Sequence, residues 1–174
     1  RITLRNSRRM HPGISYISSH LFCNDSLKPA VTAEERMAPV HMSGPDRPLL
    51  LVNVNGREKV APSGSRYNDE ETAVARRLAL HLQKRTSSIL VLAYYKDHVA
   101  RFKASFPTVE VYTIDSSQGT ERDVIILMTT KTMHSSAALI ADPRRTNVAL
   151  TRARRMLLII GLKPTLQKVD IWTR

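Results

Sequence analysis

Cysteine is almost absent from this chain, and long apolar runs are missing. The single cysteine, Cys23, cannot form an internal disulfide or hold a zinc ion alone, so we expect a reducing, intracellular location, in cytoplasm or nucleus. The longest apolar run, Met156–Ile160, is far shorter than the roughly 18 residues of a membrane span, and we expect no membrane partner. The chain begins at Arg1 without an initiator methionine or a secretory leader, which suggests a piece of a longer protein.

Two sequence motifs that a complete ATPase needs are also absent. No G-x-x-x-x-G-K-[ST] sequence occurs, so these residues include no P-loop to bind nucleotide phosphates. No Asp-Glu pair ends a predicted strand, because Asp69-Glu70-Glu71 instead opens a predicted helix. A Gly-rich dinucleotide fingerprint after the first strand is missing as well. The chain therefore lacks the parts of a self-sufficient nucleotide hydrolase.

Positive charge is abundant. Lysine and arginine total 27 against 15 acidic residues, which gives a net charge of +12 and a pI near 10.4. Such a balance favours a partner that is a polyanion, although a merely soluble basic surface has the same composition. The arginines concentrate in residues 5–9 and 144–155, and arginine suits planar, bidentate contacts with phosphate.

Apolar runs alternate with amphipathic stretches along the chain, which predicts one α/β domain with a mostly parallel sheet covered on both faces. Helical spacing is found in residues 11–22, in the stretch that follows Asn68, and in residues 96–106 and 146–154. Strands are predicted at residues 48–54, 88–92, 109–114, 123–129 and 156–161, each of them buried. Residues 24–47 contain prolines and a glycine without a sustained period, and we expect a surface loop or excursion there.

The turn between the third and fourth of these sheet strands has side chains suited to a nucleotide. Residues 115–123 combine hydroxyls, an amide, a glycine and carboxylates, and we expect them at the carboxyl ends of the strands, where α/β sheets bind ligands. Hydroxyls suit phosphate oxygens, and a carboxylate suits ribose hydroxyls. An ordinary polar turn with glycine for its geometry explains this segment alone equally well.

Two further segments place arginines in ordered settings. In residues 142–155, helical spacing puts Arg145 and Arg152 on nearly the same face, two turns apart. An arginine so placed can offset charge on a transferred phosphoryl group, while a solvated basic face is the alternative. In residues 7–12, arginines lead into a helix start, where they would meet phosphate, unless the segment is a frayed basic terminus.

Taken together, the three segments resemble a known family. TIDSSQGTERDVIIL and DPRRTNVALTRARRMLLIIG resemble motifs V and VI of superfamily 1 helicases, and RRMHP resembles the YRMHP segment of the branch that contains the nonsense-mediated-decay helicase. The resemblance covers essentially the whole chain and is weakest over residues 24–66. It implies that residues 1–174 are the second, C-terminal RecA-like domain, a three-layer domain of the P-loop-NTPase type that lacks its own P-loop.

The resemblance implies nucleotide contacts for five residues. Arg152 in LTRAR matches the arginine finger, and Arg9 in RMHP matches a second arginine that reaches the γ-phosphate. Glu121 in QGTE matches the acid that binds the ribose. Gln118 and Gly119 match the loop beside the phosphates.

Nucleic-acid contacts are implied for Thr113, Ser116 and Ser117, which match positions that touch the sugar-phosphate backbone in relatives. Arg145 matches a residue that supports motif VI. Tyr95 matches an aromatic residue in the motif before motif V, where packing in the core is at least as good an explanation.

The chain departs from the family at two places. The tyrosine that precedes the RMHP arginine in relatives, and that stacks on the base, is Arg8 here. Arginine also stacks on a π-face, but base binding would differ. The usual Thr-Pro-Tyr after the preceding strand is Ala93-Tyr94-Tyr95. Neither departure removes an implied phosphate contact.

For the full protein, the resemblance implies an ATP-dependent helicase with 5′→3′ polarity on single-stranded RNA or DNA. ATP would be bound with Mg²⁺, held mainly by the first RecA-like domain, which is the second partner, and we expect the present chain alone not to hydrolyse ATP. Two alternatives remain: a degenerate helicase half that binds nucleic acid as a scaffold, and an unrelated basic Rossmann-like enzyme such as a nucleotide transferase. The missing Gly-rich fingerprint disfavours the latter.

Overall fold

A computed structural model describes residues 6–40, 47–132 and 138–173 of the chain. The strands, in chain order, are β1 Asn6–Ser7, β2 Lys28–Pro29, β3 Leu49–Asn53, β4 Lys59–Val60, β5 Arg66–Tyr67, β6 Ile89–Ala93, β7 Glu110–Thr113, β8 Arg122–Met128 and β9 Ala153–Gly161. The α-helices are α1 Pro12–Phe22, α2 Asp69–Gln83, α3 Lys96–Ser105, α4 Pro143–Leu150 and α5 Lys163–Leu166. Short 3-10 helices are formed by Glu34–Arg36, Asp115–Ser117 and Asp170–Trp172.

Five strands form one fully parallel sheet in the order β3-β9-β8-β6-β7. Successive side chains of a strand point to opposite faces, so β8 contributes to two separate cores. Val124 and Ile126 pack on the side of α2 and α3, where Phe102 is fully buried. Ile125 packs on the side of α1 and α4, together with Ile14. Helices therefore cover both faces, and the predicted α/β class with a parallel sheet is confirmed.

Two of the predicted elements differ from the structure. The first sheet strand was expected to be buried, but β3 is the edge of the sheet and Leu51 is 42% exposed. The helix predicted over 146–154 begins earlier and ends at Leu150, because Ala153 already pairs with Arg122 in the sheet. Among the described residues, no helix combines the length and the apolar composition needed to cross a bilayer.

The segment expected to be a surface loop, residues 24–47, contains ordered structure, although residues 41–46 lie outside the described ranges. Strand β2 runs parallel to β1. Thr32 and Glu35 form a reciprocal capping box at the start of the 3-10 helix: the Thr32 N–H donates to the Glu35 carboxylate at 2.8 Å, and the Glu35 N–H donates to the Thr32 hydroxyl at 3.3 Å. Ala38, which follows this turn, is buried against the core.

Candidate nucleotide site and nucleic-acid face

The loop that carries Arg9 is anchored on both sides of this residue. Met10 is buried, and the backbone N–H of His11 donates to the Arg154 carbonyl at 2.7 Å. His11 also begins α1, since its Nδ1 accepts from the Gly13 N–H at 3.0 Å. The loop is thereby tied to the first residues of β9, which places Arg9 beside the amino-terminal edge of the sheet.

Arg152 lies in the tight turn between α4 and β9, not on a helix. Its Nε donates to the Val148 carbonyl at 3.1 Å, and its Nη1 donates to the Thr120 carbonyl at 3.3 Å. Burial lowers the pKa of the Arg152 guanidinium, and the nearby Arg9 cation lowers this pKa further, whereas Glu121 raises it. Because α4 ends at Leu150, Arg145 and Arg152 do not share a helical face as the spacing predicted. They are separated by most of the helix, about 12 Å long at 1.5 Å per residue.

Glu121 joins the arginines of this region. Its carboxylate forms an ion pair with Arg9 Nε and accepts from Arg154 Nη2 at 2.6 Å and from Arg154 Nε at 3.1 Å. The hydrogen bond from Arg154, followed by the charge of Arg9, holds the pKa of Glu121 below its usual value despite partial burial. The carboxylate is therefore ionised and set between two cations.

A cavity of about 250 Å³ opens at this position. It is lined by Arg8, Arg9, Arg36, Glu121, Asp123, Arg154 and Arg155. Five arginines face two carboxylates, so the cavity has a surplus of positive charge and suits an anionic ligand. Residues 115–123 were expected at the carboxyl ends of the strands, but this is wrong for Glu121 and the cavity around it. The cavity lies at the amino-terminal edge of the sheet, where Arg122 and Ala153 are paired at the starts of β8 and β9.

The turn from β7 to β8 spans the sheet from its carboxyl edge to its amino edge. Gly119 adopts φ +84°, and a Cβ atom there would meet nothing within 4 Å, so glycine is required by backbone conformation and not by space. Gln118 is exposed and lines a second cavity, of about 170 Å³, with Arg144 and Arg145. The structure thus does not place Gln118 in the cavity that contains Arg9.

The three predicted nucleic-acid residues lie at the carboxyl end of β7 but differ in access. The hydroxyls of Thr113 and Ser116 are hydrogen bonded to each other at 2.8 Å, and Ser116 is exposed. Ser117 is fully buried, and its hydroxyl donates to the Ile114 carbonyl at 2.7 Å. The expectation that Ser117 touches nucleic acid does not fit this geometry, which assigns its hydroxyl to the shape of the turn.

Arg145 supports the same turn. Its Nε and Nη2 donate to the two Asp115 carboxylate oxygens at 2.9 and 3.1 Å, and its Nη1 lies 3.3 Å from Asp142 Oδ2. Asp142 in turn caps α4. A planar guanidinium that bridges two carboxylates fixes the turn after β7 onto the start of α4.

The aromatic pair after β6 has a structural setting. Tyr94 is buried, with its hydroxyl 3.2 Å from Thr146 Oγ1. Tyr95 immediately precedes α3 and is partly buried against the core, and the Lys131 ammonium lies 5.3 Å from the centre of its ring. Core packing therefore accounts for most of the surface of Tyr95. This is one of the two explanations that the sequence allowed for this residue.

A buried polar cluster lies away from both cavities. Asn68 caps α2 by accepting from the Glu71 N–H at 3.1 Å, but the Glu71 carboxylate accepts from the Thr130 N–H at 2.8 Å, so these two residues form only half of a capping box. Burial raises the pKa of Glu71 to about 8. Burial also lowers the pKa of His98 to about 4, and its ring bonds to Thr130 and Thr72.

Sequence reasoning missed Arg154, Asp123, Arg155 and Arg36 as parts of the basic cavity. Arg154 lies in the same LTRAR string as Arg152, and its alternation with Arg152 about Ala153 was a usable signal once a strand begins there. Arg36 carried no such signal beyond the T-x-x-E spacing before it. In the part of the chain that the structure covers, no group of three His, Cys, Asp or Glu side chains is arranged to hold a metal ion.

Comparison with known proteins finds relatives that match nearly the whole chain. The regulator of nonsense transcripts 1 homolog of Arabidopsis thaliana is 34% identical over 98% of this chain, and the putative regulator of nonsense transcripts 1 of Takifugu rubripes is 32% identical over 98%. The helicase sen1 of Schizosaccharomyces pombe is 31% identical over 94%. The chain spans only 15%, 17% and 11%, respectively, of the length of these relatives.

Solved structures share the fold. The C-terminal domain of a possible DNA helicase from Lactobacillus plantarum aligns with a TM-score of 0.54 at 12% identity, over 94% of each chain. The arterivirus nonstructural protein 10 helicase, in complex with DNA, aligns with a TM-score of 0.50 at 16% identity, over 98% of this chain and 28% of that one. The sheet, its two helical layers and these neighbours define a RecA-like domain.

A family model described as an AAA domain matches residues 1–164. The chain belongs to this AAA domain family, and the resemblance expected from its motifs, to the branch that contains the nonsense-mediated-decay helicase, is confirmed by relatives that match nearly the whole chain.

Proposed function

We propose that this domain forms one wall of the ATP site of a longer helicase and supplies Arg152 and Arg9 to the γ-phosphate. The observation that carries the proposal is the convergence of these two arginines with Glu121 at one edge of the sheet. Arg9 is ion-paired to Glu121, and the charge of Arg9 lowers the pKa of Arg152, so two cations lie close together. Two cations in one place favour a ligand with high negative charge.

Arg152 suits the role of an arginine finger. Its guanidinium is partly buried, and backbone carbonyls of Val148 and Thr120 hold it. Such an arginine stabilises charge on the transferred phosphoryl group without having to be ordered at the moment of reaction. Arg9 would provide a second contact to the γ-phosphate.

Glu121 suits the ribose. Its pKa is lowered by Arg154 and Arg9, so it is an ionised acceptor near pH 7. Binding of ATP would draw Arg9 from the carboxylate to the phosphates and leave Arg154 to orient the carboxylate for a ribose hydroxyl. Gly119 and Gln118 belong to the adjoining turn, where we assign them to the loop beside the phosphates. Gln118 is exposed and lies outside the cavity that contains Arg9. We therefore expect it to reach a nucleotide that is bound between this domain and its partner domain.

Backbone contacts with single-stranded RNA or DNA are assigned to Thr113 and Ser116. Both lie at the carboxyl end of β7, away from the arginine cavity, so nucleotide and nucleic acid would occupy different edges of the sheet. Only a short turn links Ser116 to Glu121, so a movement at the nucleotide site would be passed directly to the nucleic-acid contact. We propose that opening and closing of this domain against its partner moves the strand with 5′→3′ polarity.

The other wall of the site would come from the first RecA-like domain of the same protein. No P-loop occurs in the present sequence, so binding of the β-phosphate is left to that domain. The Mg²⁺ that accompanies ATP would be held mainly by that domain as well, where it would offset the negative charge of the phosphates. Asp123 and Glu121, the carboxylates of the basic cavity, are already engaged by arginines.

The test compares ATP hydrolysis by the 174-residue chain with hydrolysis by the full-length protein, each with and without single-stranded nucleic acid. We expect no turnover by the chain alone and nucleic-acid-stimulated turnover by the full-length protein. Turnover by the isolated chain would contradict the assignment of the P-loop to another domain. A full-length protein that binds nucleic acid but never hydrolyses ATP would instead support the scaffold alternative.

A further inference from the structure

The segment of residues 28–38 reaches into the arginine cavity through one side chain. Arg36, the last residue of the 3-10 helix, donates from Nε to the Arg9 carbonyl at 3.0 Å and from Nη2 to the Arg8 carbonyl at 3.0 Å. Its Nη1 donates to the Glu35 carbonyl at 3.2 Å. One guanidinium thus binds three backbone carbonyls, two of them on consecutive residues of the Arg9 loop.

Arg36 itself is held in place. The capping box of Thr32 and Glu35 orders the turn that ends at this residue. One residue later, the Met37 carbonyl accepts from Arg155 Nε at 2.6 Å, and Ala38 is buried against the core. The segment is therefore fastened to the sheet immediately after Arg36, which makes the guanidinium a fixed point and not a mobile surface group.

The same segment also pairs with the residues before Arg8. Strand β2 forms a parallel pair with β1, and the Ala30 N–H donates to the Ser7 carbonyl at 2.8 Å. Backbone from Asn6 to Arg9 is consequently bonded, residue after residue, to the segment between Lys28 and Arg36. On its other side, the loop is anchored by the His11 bond to β9.

We propose that Arg36 is a positioning residue for Arg9. Two adjacent carbonyls fixed by one planar guanidinium set the peptide planes on either side of the Arg9 Cα, and those planes set the direction in which its side chain leaves the backbone. Residues 28–38 are then a part of the nucleotide site and not a detachable excursion. This inference rests on the proposed function, because it gives Arg36 a task only if Arg9 contacts the γ-phosphate.

The test uses the full-length protein with Arg36→Ala, Arg36→Lys, Arg9→Ala and the Arg36→Ala/Arg9→Ala double variant. Arg77→Ala on the exposed face of α2 is the matched control for loss of one positive charge. We expect Arg36→Ala to lower kcat/KM for ATP by about 10- to 100-fold, the order expected for misplacement by about 1 Å. Affinity for ADP, which has no γ-phosphate, should stay close to that of wild type.

Two comparisons separate positioning from general damage to the fold. In the double variant, Arg36→Ala should add no loss beyond that of Arg9→Ala, because its effect passes through Arg9. Arg36→Lys keeps the charge and the packing of the stem but lacks the planar fork, so it should recover part of the activity. It also provides the answer if Arg36→Ala fails to fold, because full activity of the lysine variant would overturn the inference.

The inference is overturned if Arg36→Ala matches Arg77→Ala, if it weakens ADP and ATP binding equally, or if its effect multiplies with that of Arg9→Ala. These outcomes leave the proposed function intact provided that Arg9→Ala is impaired. A normal Arg9→Ala variant, or a wild-type protein without nucleotide binding, overturns the proposed function and this inference together.

Discussion

Arg9 and Glu121 form an ion pair, although they lie 112 residues apart and are proposed here to contact opposite ends of a nucleotide. The pair neutralises the charges of two side chains that we assign to ligand contacts. Arg154 holds the other side of the same carboxylate, so Glu121 keeps a cationic partner when Arg9 leaves. An exchange of Arg9 from carboxylate to phosphate therefore costs the site one ion pair and not the orientation of Glu121.

The first prediction concerns the ribose contact of Glu121. In the full-length protein, Glu121→Gln removes the charge while keeping the shape, and we expect it to erase discrimination between ATP and 2′-deoxy-ATP. A hydrogen bond to a charged group contributes about 1.5–3 kcal/mol, so the loss should appear as roughly a 10- to 100-fold rise in KM for ATP. Steady-state ATPase kinetics with both nucleotides measure it.

Glu70→Gln, on the exposed part of α2, is the control for removal of one carboxylate. The ribose assignment would be contradicted if Glu121→Gln and wild type discriminated equally between the two nucleotides.

A second prediction distinguishes the neighbouring serines after β7. Ser116→Ala should weaken single-strand binding, whereas Ser117→Ala should leave binding unchanged and lower stability by about 1 kcal/mol, because its buried hydroxyl bonds to the Ile114 carbonyl. Fluorescence anisotropy with a labelled single strand measures affinity, and thermal unfolding measures stability. If Ser116→Ala and Ser117→Ala both fold and lose equal affinity for the single strand, Ser117 contacts nucleic acid and the prediction is wrong.

The buried Glu71 predicts a pH dependence of stability. Its pKa is raised from 4.5 to about 8 in the fold, so the folded state keeps a proton that the unfolded state has lost, and stability falls as pH rises towards 8. His98, with its pKa lowered to about 4, has the opposite slope, but most of its contribution to stability is already present at pH 6.5, the ordinary histidine value. Between pH 6.5 and 8 the slope is therefore mainly that of Glu71.

Glu71→Gln resembles the protonated acid and should remove this slope. We expect the wild-type domain to lose Tm between pH 6.5 and 8 while the Glu71→Gln variant stays nearly flat. Thermal unfolding of both in one buffer series checks the difference, and parallel profiles would show that Glu71 is not the titrating group.

Periodicity predicted most of the fold because the sheet is buried. Continuous apolar runs such as Ile125–Leu127, bounded by turn residues, favour a strand covered on both faces, and the alternation of strands and helices predicts the parallel sheet. The errors fall where tertiary contacts decide. Leu51 has the apolar character of a core strand, but its place at the sheet edge depends on strand order, and α4 ends early because the pairing of Ala153 with Arg122 overrides helical spacing.

The candidate site was only partly predictable for a similar reason. Arg9, Glu121 and Arg152 stand in recognisable strings, but their meeting at the amino-terminal edge follows from how the β7–β8 turn and α4 cross the sheet. Arg36 acts through backbone carbonyls, and a bond to a carbonyl places no demand on the identity of the residue that accepts it. Such a contact leaves no pattern in a single sequence.

The most direct test of the account is the nucleic-acid-stimulated kcat of the full-length protein with Arg152→Ala, compared with Arg77→Ala and wild type. Loss of an arginine finger lowers turnover by about 10³-fold or more. We predict a loss of that order for Arg152→Ala and unchanged turnover for Arg77→Ala. An Arg152→Ala protein that folds, binds nucleic acid and hydrolyses ATP at nearly the wild-type rate would contradict the assignment of Arg152 to the γ-phosphate.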